Sequence, residues 1–138
     1  MLGIAAALAY AVPALAARAL GDVGARRVLT LAWALHGLQL AWVQLTQPAH
    51  FGFAQTLSIT VWLALTVYGI ERRRYPRMPA RWALAGFGAA VIVLALVFPG
   101  AALPATSSPL LGLHSALGLS AYGLFAAAVA HGWLMTRA

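Results

Sequence analysis

Long apolar stretches alternate along this chain with short polar or basic ones, and each apolar stretch is close to the length that crosses a bilayer. A helix needs about twenty mostly apolar residues to span the hydrocarbon. Runs of that size occupy about 2–19, 28–45, 53–70, 82–98 and 110–135. Between them lie 21-GDVGARR-27, the turn-like 46-TQPAHFG-52, the basic 71-ERRRYPRMPAR-81 and the Pro-, Ala- and Ser-rich 99-PGAALPATSSP-109. The pattern predicts an all-α fold, a polytopic transmembrane helix bundle of about five spans forming a single domain over 1–138.

Charge sharpens this expectation. Only 8% of residues are charged and mean hydropathy is +0.86, whereas an average soluble domain has roughly a quarter charged residues. A net charge of +7 and a pI near 11.5 would point to nucleic acid in a soluble protein. Here every basic residue is an arginine at or near the end of an apolar run. Arg18, Arg26 and Arg27 lie at the first junction, Arg72, Arg73, Arg74, Arg77 and Arg81 at the third, and Arg137 in the tail; the second and fourth junctions carry no charge. By the positive-inside rule the N-terminus is outside and the C-terminus inside. One span more or fewer would put arginines on both sides. The basic loop reads as an anchor against anionic headgroups and not as a nucleic-acid site, because it has no basic helical face or stacking platform around it. Asp22 and Glu71 sit in the same inner loops, as expected partners of arginine.

The first run contains 13-PALA-16, which resembles a small-residue cleavage site, but no basic segment precedes it and the arginines follow it, so it is read as a retained helix. Its Gly3, Ala7, Tyr10, Ala14 and Ala17 share one face, suited to close helix packing. The chain has no cysteine, which removes disulfides, thiolate metal sites and thiol chemistry. GxSxG, P-loop and HExxH motifs are absent. With acids at two positions only, no enzyme site is expected.

The polar residues inside the spans then carry the functional information, since an ionisable group at membrane depth is a functional-site candidate by default. His36 lies near the middle of the second span and His114 about four residues into the fifth, with His50 in an outer loop and His131 near the inner end. His114 and His131 are about 25 Å apart along a helix and belong to different leaflets. Around His114, the residues Gly118, Ala121, Phe125 and Gly132, with Tyr122 at the margin, leave a face nearly free of bulk, open to a flat ligand or to a neighbouring helix. Trp33 and Gln39 flank His36, and Gln55, Ser58, Trp62, Thr66 and Gly69 form a polar and aromatic stripe on the third span that must face protein. A buried histidine opposite another, between tryptophan and small residues, suits haem, because neutral imidazole is an ordinary axial ligand. Zinc fits less well, as no carboxylate or thiol lies within the spans.

The stretch 111-LGLHSALGLSAYGLFAAAVAHGWLM-135, with histidine eight residues before tyrosine, resembles the cytochrome c assembly family of CcsA/CcmC-like haem-handling membrane proteins, in particular its YpjD-type inner-membrane members. The stretches 35-LHGLQL-40 and 51-FGFAQTLSITVWL-63 are similar to that family's histidine-bearing second helix and the approach to its third. The resemblance covers nearly the whole chain and makes it the N-terminal five-helix portion, since family members continue into further helices with a tryptophan-rich outer segment and more histidines. It implies a multi-pass protein of the bacterial inner membrane that holds or passes haem near the outer face. His114 would be an axial ligand of the haem iron and His36 a second haem-binding residue. Other assembly subunits or apocytochrome c would be the partners. Two other classes compete: a transporter or respiratory-complex subunit with a polar path formed by His36, Gln39 and the third-span stripe, and a purely structural membrane partner.

Overall fold

The computed structural model describes residues 1–46, 50–74, 81–102 and 109–136. Arg77, Arg137 and residues 103–108 of the fourth junction lie outside the described residues, as do the side chains of Ala17, Arg18, His50, Arg72, Arg73, Arg74 and Arg81. The elements among the described residues are all helices apart from one pair of two-residue strands.

Helix α1 (Leu2–Thr46) is two arms folded against each other. In a straight helix Tyr10 and His36 would stand about 39 Å apart, yet the tyrosine hydroxyl is 3.5 Å from the imidazole. The reversal is made by Ala16 (φ −115°, ψ 25°) and Gly21 (φ 61°, ψ 178°). The latter conformation is open to glycine and almost nothing else. The junction expected over 21–27 therefore lies earlier, between Ala16 and Gly21. Past Gly21 the backbone is already helical, and Arg26 and Arg27, both good helix formers, sit in the opening turns of the second arm.

Three further helices follow: α2 (Phe53–Arg74), α3 (Arg81–Val97) and α4 (Pro109–Met135). Strand β1 (His50–Phe51) pairs antiparallel with β2 (Ala101–Ala102). Beside this bridge the backbones come so close that a Cβ on Gly52 would stand 2.8 Å from the Gly100 Cα, and Phe53 meets Phe98 with ring centroids 5.8 Å apart. The two uncharged junctions thus meet at one end of the bundle. Arg26 lines a cavity with Ile70, and Glu71 lies beside His131, so charged groups gather at the other end.

The first arm of α1 packs on α3, with Gly3 against Leu96 and Gly88 under the Tyr10 ring. The second arm packs on α2. Helix α4 contacts α2 and, among the described residues, no other helix. Its docking point is Gly123, where a Cβ would fall 2.6 Å from a Leu63 methyl. Buried positions are small or polar to an unusual degree: Ala6, Ala32, Ala85, His36 and Ser58 have no exposed surface, alongside Tyr10 and Ile92. Small residues at the contacts let helix backbones approach closely. The outward faces are apolar. Ile4, Leu8, Val12 and Leu15 form one exposed stripe, and Leu110, Leu113, Leu117 and Leu124 another. Among the described residues one helix, Phe53–Glu71, is long and apolar enough to cross a membrane. The first arm is cut at its break into a shorter apolar helix, Leu2–Ala16, and α3 contributes Ala83–Val97.

Candidate functional site

Where both arms of α1 meet α2, the bundle buries a cluster of polar side chains. His36 is at its centre. Its Nε2 lies 2.8 Å from Ser58 Oγ and its Nδ1 a longer 3.5 Å from the Tyr10 hydroxyl, whose ring meets the imidazole edge-on at 5.8 Å. With Tyr10 donating to Nδ1 and the proton on Nε2 given to Ser58, both ring nitrogens are satisfied, as a buried polar group requires. One turn further along α1, Gln39 is also buried, and among the described residues its Oε1 has no hydrogen-bond partner.

Toward the charged end, two tryptophans lock the same helices together. Trp33 and Trp62 stack with ring centroids 5.4 Å apart and planes within 8°. The Trp62 indole N–H donates to the Trp33 carbonyl at 3.0 Å, while the Trp33 indole N–H donates to Thr66 Oγ1 at 2.8 Å. Thr66 in turn donates to the Trp62 carbonyl. Gly37 makes this possible, because a Cβ there would lie 2.8 Å from the Trp62 ring. The polar stripe on α2 thus faces the second arm of α1 through Ser58, Trp62 and Thr66. Just beyond the lock, a cavity of about 460 Å³ opens between α1 and α2, with Arg26 at its rim and Trp33 and Leu65 in its wall.

His36 and His114 are not brought together, and the shared cleft expected between them is absent. Helix α2 stands between α1 and α4, and the described residues of α1 and α4 do not touch. His114 is exposed. The reason lies in helical phase: Gly123 is nine residues on, half a turn away at about 100° per residue, so docking α4 through Gly123 turns His114 outward. Two to three turns further along α4, Tyr122 and Phe125 are 70% and 71% exposed, and a Cβ on Gly118 would meet nothing within 4 Å. The side chain of His50 is outside the described residues, but its backbone pairs with Ala102. His131 Nδ1 lies 3.0 Å from Glu71 Oε1, joining the C-terminal ends of α4 and α2. That is an ion-pair distance once the ring is protonated. Glu71, expected to sit against arginine, thus has a histidine neighbour.

No group of three or more His, Cys, Asp or Glu is placed to hold a metal among the described residues. His36 does not fit a haem iron, since both its nitrogens are engaged and the residue is fully buried. The His114 imidazole is exposed and free to meet a ligand from outside the described residues. The sequence contained Tyr10 and Ser58, but only as members of packing stripes; their meeting at His36 depends on the reversal of α1. No protein family, curated protein or solved structure matches this chain.

Proposed function

We propose that this chain is a multi-span membrane bundle with its arginine-bearing end in the cytoplasm, and that it handles haem for cytochrome c assembly near the outer face of the bacterial inner membrane. The inverted distribution of side chains supports the membrane part. Stripes of leucine, isoleucine and valine face outward around a core of alanine, glycine and hydrogen-bonded polar groups, an arrangement that suits lipid and would aggregate in water. The gathering of uncharged junctions at one end and arginines at the other supports the orientation.

One observation carries the haem part: His114 stands on the uncovered face of α4, half a turn from the docking glycine, with an open Gly118, Tyr122 and Phe125 further along it. Bound haem would supply an iron seeking axial nitrogen and a flat apolar ring. This chain supplies one imidazole and half of the apolar wall, and further helices or an assembly partner would supply the rest. His36 drops out of the ligand set and acts as the pin joining three helical segments. The same engagement of His36 weighs against a polar transport path through it.

The test is a titration of the detergent-purified chain with haemin. A Soret band should form, fall in His114→Gly, return with added imidazole, and persist in His36→Leu. Equal spectra from wild type and His114→Gly would remove the proposal.

A further inference from the structure

Neither His36 nor His114 lines the cavity between α1 and α2, and it belongs to neither role. We infer that it is a binding site for one anionic phospholipid of the cytoplasmic leaflet. The inference rests on the membrane orientation proposed above and not on haem.

Three features point to this ligand. The first is charge: Arg26 lies at the rim with Arg27 beside it, outnumbering Asp22 one turn earlier. Basic pockets between transmembrane helices on the cytoplasmic side suit anionic headgroups. The second is the way the polar groups of the wall are already used. The Trp33 indole N–H is taken by Thr66, and the Thr30 hydroxyl donates to the Arg26 carbonyl at 3.0 Å. Arg26 thus shares the cavity with a largely apolar wall that includes Leu29, Trp33, Leu65 and the ring of Tyr68. That combination fits a phosphate joined to an acyl chain better than a small hydrophilic anion, because most of the wall is apolar. The third is Gly69, where a Cβ would meet nothing within 4 Å. At about 460 Å³ the volume lies in the range of specific ligand pockets.

The experiment is native mass spectrometry of the full chain in detergent, titrated with phosphatidylglycerol, with phosphatidylcholine and glycerol phosphate as separate arms. One phosphatidylglycerol should bind, with phosphatidylcholine at least fivefold weaker and glycerol phosphate unable to displace it. Arg26→Gln should weaken binding about fivefold, the contribution of one arginine at an anionic lipid surface. Gly69→Leu should abolish it by filling the cavity, while replacing a helical glycine with a better helix former keeps α2 intact. Equal binding of the two lipids, displacement by glycerol phosphate, or wild-type affinity in both variants would each overturn the assignment. Carbonate extraction reads the membrane placement separately. A chain released by carbonate fails that earlier reading, whereas a detergent-requiring chain indifferent to phosphatidylglycerol fails only this one.

Discussion

Gly37→Ala should unfasten the contact that holds α1 on α2, although alanine is the better helix former. The added methyl would stand 2.8 to 3.0 Å from three atoms of the Trp62 indole, well inside ordinary van der Waals separation, so the ring must move. It has little freedom to do so, because it is stacked on Trp33 and donates to the Trp33 carbonyl. Overpacking of this kind costs about 1–3 kcal/mol, and displacing the indole forfeits a hydrogen bond worth about 1 kcal/mol. Removing glycine from a helix returns about 1 kcal/mol. The net is a destabilisation of about 2 kcal/mol, or roughly 5–10 °C in Tm for a chain of this length. Thermal unfolding in detergent, followed by near-ultraviolet circular dichroism, reads both the stability and the coupling between the stacked indoles. Gly118→Ala is the control: its Cβ meets nothing, so it should hold or raise the Tm with the indole signal unchanged. A Gly37→Ala protein as stable as wild type, with that signal intact, would refute the reasoning.

Other consequences are testable in the same preparation. Ser58→Ala leaves His36 Nε2 buried without its 2.8 Å partner and should cost about 1–3 kcal/mol; combined with His36→Leu, the loss should be smaller than the sum of the two singles, and strict additivity in a double-mutant cycle would argue against the bond. Gly21→Ala places a Cβ at φ 61° and should lower stability by about 1 kcal/mol or more, measured by the same melts. Because the chain has no cysteine, single substitutions report orientation cleanly. Ala101→Cys should react with an impermeant maleimide in intact cells and Thr136→Cys only after permeabilisation, and the reverse labelling would invert the topology.

The order of amino acids was enough to predict helices of roughly these lengths and to assign the arginines to two junctions and the tail, because apolar run length and the placement of charge are local properties. It also identified the faces carrying Ser58, Trp62 and Thr66, since a 3.6-residue period is visible without a neighbour. Which faces meet is another matter. The reversal of α1 rests on non-helical backbone at Ala16 and at Gly21, the latter at positive φ, and only that reversal sets Tyr10 against His36. Helix α4 is apolar all round, so its hydropathy had no direction to offer, and the close fit of Gly123 on Leu63 decided that His114 turns outward. The ligand pair suggested by the sequence therefore separates in space: one histidine is consumed in holding helices together and the other is left open, because contacts between distant segments depend on shape and phase that no single segment encodes.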